Sequence, residues 1–291
     1  LSFKEALKSG KFLVTMDVIP PKGIDFAETL EKIRPLRTRV DAVNVVDMPS
    51  AVMRMSPLPF SALLKREGYD PIFQITCRDR NRLALQGDLL GAAALGIENA
   101  LILTGDPADL SDDPHAKPVF DLDSVALLRA ARGLEQGHDM AGKKLKGCPS
   151  FCLGAAVDPG AAALETEIEK MEKKVSAGAE FFQTQPIYDV DAFAGFMKKV
   201  SHLGAPVLAG IFLLKSAKMG RFINQNVPGV HIPDNILDEM EKCDDPVARS
   251  IQIAVRTIEA VRGFSQGAHI MTINWEEKIP RILDALSLKG D

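Results

Sequence analysis

The sequence predicts an α/β fold, a single (β/α)8 TIM barrel over residues 1–291. Short apolar, β-branched runs recur along the chain, and a longer stretch of helical character follows each. Eight such runs in 291 residues match the usual size of one closed barrel. An open dinucleotide-binding sheet would show Gly-x-Gly-x-x-Gly after its first strand. Here the first run leads into Pro20-Pro21-Lys22-Gly23 instead.

The runs are Phe12–Asp17, Ala42–Asp47, Ile72–Thr76, Ala100–Thr104, Phe151–Val157, Phe181–Gln185, Val207–Phe212 and His269–Ile273. Apolar residues fall on both faces of each, as in buried parallel strands. Among the intervening helices, Phe26–Leu36 follows Asp25 as its N-cap, and Asn81–Ala94 carries Leu83, Leu85, Leu89 and Leu90. Gly87, Gly91 and Gly96 in and beside that helix read as close helix–sheet packing rather than a phosphate loop. Glu165–Ala177 ends at Gly178, a C′ glycine. A later helix has Asp245 as cap, Pro246 in its first turn and Gly263 after it. The last helix is Glu276–Leu286. Two connections exceed what a barrel needs. Asp106–Pro118 reads as an ordered lid or an exposed loop, and Gly133–Ser150 as a Lys-bearing insertion.

A net charge of -4 argues against a nucleic-acid partner, although a local basic cluster could still hold an anionic cofactor. No run is long and apolar enough for a membrane span, the first residues do not read as a signal peptide, and Cys77, Cys148, Cys152 and Cys243 fit a reducing compartment. Cytoplasmic residence is the expectation. The scattered histidines form no metal motif.

Barrel chemistry gathers at the C-terminal strand ends. Polar residues recur there: Asp17, Asp47, Thr76-Cys77-Arg78-Asp79, Thr104-Gly105-Asp106, Asp158, Thr184-Gln185, Lys215 and Asn274. Asp47 and Asp158 also suit helix caps, and Arg78-Asp79-Arg80 a solvated charge run. Asp17 stands inside an apolar strand, where a carboxylate must be paired or protonated. A raised pKa there would suit a general acid; pairing with an arginine is the structural alternative.

Taken in order, these strand ends resemble the catalytic barrel of the methylenetetrahydrofolate reductase family, over about Phe12 to Leu286. The resemblance rests on Val14-Thr15-Met16-Asp17-Val18-Ile19-Pro20-Pro21, Ile75-Thr76-Cys77, Leu103-Thr104-Gly105-Asp106, Lys173-Lys174-Val175-Ser176-Ala177-Gly178-Ala179 and Gln183-Thr184-Gln185. The run Thr76 to Asn81 is similar to a branch of anaerobic and methyltransferase-linked bacterial members. The resemblance implies an FAD-dependent oxidoreductase that interconverts 5,10-methylenetetrahydrofolate and 5-methyltetrahydrofolate. It implies FAD contacts from Thr76, Thr104, Gly105, Asp106, Gly154, Asp158, Glu167, Lys170, Lys173 and Lys174. Asp17 and Asp106 would be catalytic, and Asp106 and Gln185 would face the pterin. For Lys173 and Lys174 a solvated helix face is the alternative.

Several positions depart from the family pattern. Asp17 stands for a glutamate, Gln74 for a histidine, Gly154 for an aromatic residue over the flavin, Asp158 for a histidine and Trp275 for an arginine. A more open flavin at Gly154 would alter how NADH or NADPH docks, or make room for a partner subunit that delivers electrons. Lys143, Lys144 and Lys146 would be a docking surface for such a partner, or a plain solvated loop. The sequence leaves open a homo-oligomer, a flavin-bearing subunit active only with its partner, and a non-flavin pterin barrel such as a methyl or pteroate transferase.

Overall fold

A computed structural model describes residues 1–227 and 230–286. Eight strands form the predicted closed parallel barrel, each bonded to its neighbours in sequence order and β8 to β1. They are β1 (Leu13–Val18), β2 (Ala42–Val45), β3 (Pro71–Thr76), β4 (Asn99–Leu103), β5 (Cys152–Val157), β6 (Phe181–Pro186), β7 (Val207–Phe212) and β8 (Gly267–Met271). Around them lie α1 (Phe3–Ala6), α2 (Ala27–Ile33), α3 (Pro57–Arg66), α4 (Arg82–Ala94), α5 (Ser124–Glu135) and α6 (Leu164–Ser176). The rest are α7 (Val190–Val200), α8 (Ala217–Asn226), α9 (Asp234–Glu241), α10 (Pro246–Val261) and α11 (Ile279–Ala285).

Local chemistry explains most boundaries. Asn81, Asp123, Asp189, Ser216 and Asp245 each accept backbone N–H groups in the first turn of α4, α5, α7, α8 and α10. The predicted helix Phe26–Leu36 breaks into α2 and a 3₁₀ turn, because Pro35 has no N–H to continue the ladder. Its N-cap is Phe26; Asp25 instead bonds the Ala27 N–H. The eighth strand starts two residues earlier than His269, where Gly267 passes so close to the Leu13 carbonyl that a Cβ would lie 2.4 Å from it. Of the three helix glycines, Gly91 touches Leu58 of α3 rather than the sheet, and Gly87 faces open space.

The barrel interior is layered. Its floor is apolar: Leu13, Ala42, Ile72, Leu101, Cys152, Phe181 and Leu208 meet Phe3, Ala6 and Leu7. Ser2 and Glu5 make the capping box that starts α1, and Asp70 accepts the Phe3 N–H at 2.7 Å. Phe3 then lies edge-on to Phe181, ring centroids 5.1 Å apart. Such a pair contributes ~0.5–1.5 kcal/mol beyond burial. Gly154 belongs to this packing. A Cβ there would fall 2.2 Å from the Phe181 ring, so the glycine exists to let β6 fill the barrel. The packing of Phe181 accounts for the glycine, which does not line the cleft at the barrel mouth.

The Gly133–Ser150 insertion enters β5 from the floor side, opposite the strand ends that carry the polar residues. Asp139 folds it by accepting the N–H groups of Ala141 and Lys143. A partner docked on Lys143, Lys144 and Lys146 would therefore sit at the wrong end of the barrel for chemistry at its mouth.

Gly154→Ala is expected to cost ~1–3 kcal/mol, the usual range for overpacking. Adding Phe181→Leu should recover part of that loss. Urea unfolding midpoints of the three proteins check it; an unchanged midpoint for Gly154→Ala would refute the packing role.

Candidate active site

Three groups of side chains meet at the C-terminal end of the barrel. The first lines a cleft of about 290 Å³ at the ends of β4, β5 and β6. Thr104, Gly105, Asp106, Asp158, Glu167, Lys174 and Gln185 all border it, so seven of the residues singled out in the sequence come together. Lys174 is half-buried and donates to the Ala156 carbonyl at 2.7 Å. Burial pushes its pKa down; Glu167 opposes that fall and Lys170 adds to it. Asp158 is pushed up by burial, the Gly160 N–H pulls it down, and Glu167 raises it further. Among the described residues Lys174 has no carboxylate within ion-pair distance, while Asp158 accepts the Gly160 N–H and Glu167 accepts the Asp158 N–H and lies 3.5 Å from Lys170. An anionic phosphate would neutralise Lys174, and sugar hydroxyls would donate to the remaining lone pairs of the two carboxylates, so the donor set fits a dinucleotide. A larger groove, about 480 Å³, between α7 and Phe264 holds no carboxylate.

Gln185 reaches the cleft through a β-bulge. The β6–β7 register shifts between Gln183 and Pro186. Across the shift the Thr184 hydroxyl accepts the Gly210 N–H at 2.8 Å and donates to the Gln185 carbonyl at 2.7 Å. Gly210 is required, since a Cβ would lie 2.5 Å from the Thr184 carbonyl oxygen. The bulge re-aims the next side chain, and Gln185 is exposed although β6 is otherwise buried up to Thr184.

The second group braces the mouth beside β2 and β3. Asp47 has no exposed side-chain surface. It accepts the Thr76 N–H at 2.8 Å, the Thr76 hydroxyl at 2.9 Å and both terminal Arg80 nitrogens at 2.7 and 3.2 Å. Burial works against the Arg80 charge, yet Asp47, Asp88 and Asp79 outweigh it and raise its pKa. Arg78 is 2% exposed, which excludes a solvated charge run. Its guanidinium grips Asp79 through two bonds and donates to the Met48 carbonyl at 3.1 Å. The loop it holds is strained: Met48, Ser50 and Ala51 all have positive φ without being glycine. From there the Ser50 N–H donates to Asp106 Oδ2 at 2.8 Å, and the loop after β4 is tied down as Ser111 donates to the Ala51 carbonyl and Asp112 accepts from Lys22. The expected lid over Asp106–Pro118 is this strapped loop. Asp47 is a buried ion-pair partner, not a helix cap. Thr76 serves it rather than the cleft.

The third group is inside the barrel. Asp17 stands on β1, across the ring from β5, and outside the cleft lining. Its partner is not an arginine: His269 Nε2 on β8 lies 3.2 Å from Asp17 Oδ1. Behind them Thr15, Asn44 and Gln183 form a buried polar layer. The sequence reading passed over His269, Asn44 and Thr15. The signal was present: each is a polar residue flanked by apolar ones, two or three positions before the polar residue at the strand end.

Lys170 and Lys173 remain on the exposed face of α6; only Lys174 turns inward. Lys215 lies over the Trp275 ring at 5.1 Å, joining the ends of β7 and β8. Cys148 is exposed while Cys152 belongs to the floor, where burial pushes its thiol up to about 12. Among the described residues no helix is long and apolar enough to cross a membrane.

A family model described as Methylenetetrahydrofolate reductase matches residues 2–287. A probable methylenetetrahydrofolate reductase (NADPH) of Caenorhabditis elegans is 27% identical over 240 residues, 78% of this chain and 34% of that protein. Methylenetetrahydrofolate reductase 1 of Schizosaccharomyces pombe is 27% identical over 233 residues, 75% of this chain and 36% of that protein. The chain thus spans about a third of the length of these curated relatives. Among solved structures, an uncharacterized Clostridium thermocellum protein that binds two copies of 5-methyl-5,6,7,8-tetrahydrofolic acid superposes with a TM-score of 0.66. It covers 99% of this chain and 100% of its own, and at 14% identity it shares the fold alone.

Asp47→Ala leaves Arg80 buried without its main partner and should cost ~3–5 kcal/mol. Lys170→Ala, on the open face of α6, should stay within about 0.5 kcal/mol of the parent. Denaturant unfolding of both variants tests the bracing role.

Proposed function

The chain belongs to the methylenetetrahydrofolate reductase family, and from that premise we propose that it interconverts 5,10-methylenetetrahydrofolate and 5-methyltetrahydrofolate with FAD as cofactor. The observation that carries this reading is the convergence of Asp106, Asp158, Glu167, Lys174 and Gln185 on one cleft at the barrel mouth. FAD would be held by Thr104 and Gly105, by Asp158 and Glu167 through its hydroxyls, and by Lys174 through its phosphates. Lys170 and Lys173, exposed on α6, would add long-range attraction for those phosphates. When bound, the flavin supplies the hydride. The electrons come from NADH or NADPH, or from a separate electron-transfer subunit.

This chain's residues do the rest. The Gln185 amide orients the pterin by hydrogen bonding. Asp106 places a negative charge where positive charge grows on the folate, which favours the iminium form. That carboxylate is already anchored by the Ser50 N–H, so it needs little reorganisation to serve. Asp17 gives its proton to the ring nitrogen that leaves the methylene carbon. The carbon–nitrogen bond breaks, the iminium carbon takes up a hydride, and methyltetrahydrofolate results. Asp17 is one methylene shorter than the glutamate of the family pattern, so the folate must approach β1 more closely for the same transfer. A misfit of about 1 Å at that step would cost roughly 100-fold in rate.

The reading is tested by the absorbance spectrum of the purified protein, before and after anaerobic addition of methyltetrahydrofolate. A flavin spectrum that bleaches supports it. A flavin that stays oxidised points to the partner-dependent subunit, and a protein that cannot be loaded with FAD to a non-flavin pterin barrel. Asp17→Asn should leave flavin reduction by the donor nearly intact and slow folate reduction ~10²-fold or more. Gln185→Ala should raise the folate KM with FAD retained, and Thr184→Val should do the same by undoing the bulge. Loss of FAD from either variant would sink the pterin assignment.

A further inference from the structure

We infer that His269 is a positioning residue locked in its Nε2–H tautomer by the Thr15–Gln183–Asn44 chain, so that it engages one oxygen of Asp17 and leaves the other for the proton passed to substrate. The last clause rests on the reading of Asp17 as proton donor; the tautomer does not.

The chain of bonds fixes the direction of each proton. Asn44 and Gln183 face each other across the barrel as a closed amide pair. Asn44 Nδ2 donates to Gln183 Oε1 at 2.5 Å, and Gln183 Nε2 donates to Asn44 Oδ1 at 3.1 Å. The same Gln183 nitrogen has a second proton, which goes to Thr15 Oγ1 at 3.3 Å. Thr15 is fully buried, and among the described residues its hydroxyl bonds only Gln183 and His269. Gln183 approaches as a donor. A buried hydroxyl proton needs an acceptor, so it goes to His269 Nδ1, 2.9 Å away. With Nδ1 accepting, the single proton of the neutral imidazole sits on Nε2. That nitrogen faces Asp17 Oδ1 at 3.2 Å. The far end agrees, since a carboxyl oxygen is an acceptor and calls for a donor.

Asp17 is then asymmetric. Oδ1 is sealed from solvent and has no aligned hydrogen bond; the His269 approach is close but bent. The 18% of the side chain that stays exposed therefore lies away from His269. With Nε2–H against Oδ1, a protonated Asp17 carries its proton on Oδ2. The imidazole lies 3.2 Å from Oδ1, and its N–H and bulk favour the carboxyl orientation that turns Oδ2 away from it. The mutual order of Asn44, Gln183 and Thr15, residues outside the cleft lining, would thus set the aim of the acid.

The test uses full-length protein labelled with [15N]histidine. Long-range 1H–15N spectra distinguish the two tautomers, and the signal missing from His269→Gln identifies His269 among the five histidines. The expected wild-type spectrum shows a bare Nδ1 and a protonated Nε2, and Thr15→Val shifts it toward a mixture. A protonated Nδ1 in the wild type, or no change in Thr15→Val, overturns the inference. In turnover, His269→Gln keeps an amide N–H near the Nε2 position and should stay close to wild type. His269→Leu should lose ~10²-fold in kcat, the lower end of what general acid catalysis contributes, with the folate KM unchanged. Equal losses in both variants would reduce His269 to a packing residue. A wild-type chain that does not turn over the folate refutes the proposed function, while the imidazole spectrum still decides the tautomer.

Discussion

The carboxylate of Asp47 has no exposed surface, and the shape of the mouth on its side hangs from it. Four hydrogen bonds end on its two oxygens: two from Thr76 and two from Arg80. They fasten the end of β2 to the end of β3. Beside that anchor Arg78 grips the Met48 carbonyl, and the strained segment from Met48 to Ala51 passes an N–H to Asp106. A buried ion pair seldom adds much to stability over a well-packed apolar substitute. Its role here is geometric: it fixes the loop that aims a carboxylate of the cleft.

The same logic recurs around the barrel. At β6 a bulge, a threonine hydroxyl and a glycine without room for a Cβ turn Gln185 out of an otherwise buried strand. At β1 and β8 an amide pair and a hydroxyl order one imidazole beside Asp17. In each case the residue at the mouth is placed by a neighbour that never reaches the mouth itself. Supports of this kind are what hold a site within the fraction of an ångström that chemistry requires.

The barrel was legible from the alternation of apolar runs with helical stretches, because that pattern reports burial directly. The C-terminal strand ends were legible too: Thr104, Gly105, Asp106, Asp158 and Gln185, picked out there, border one cleft with Glu167 and Lys174 of α6. What sequence could not supply was which side of a residue meets which neighbour. Lys170, Lys173 and Lys174 are equivalent as letters, and Lys170 and Lys174 even share a helix face, yet only Lys174, a turn further along α6, meets the Ala156 carbonyl of β5. Gly154 looked like a missing cover because the ring that fills its space, Phe181, is twenty-seven residues away in sequence. For Arg78 a solvated run stayed open as an alternative because its acceptors, among them the carbonyls of Met48 and Asp106, are contributed by other loops. His269 was passed over for a similar reason, as its partners come from β1 and β6. Patterns of period two and 3.6 are local, whereas these contacts are closed only by the ring of strands.

The apolar floor has a consequence for protons. Phe3, Phe181 and their neighbours put an apolar cluster beneath the layer that holds Thr15, Gln183 and His269. The exposed part of the Asp17 side chain therefore meets solvent on the side away from that floor, so its exchange with bulk water runs through the mouth of the barrel.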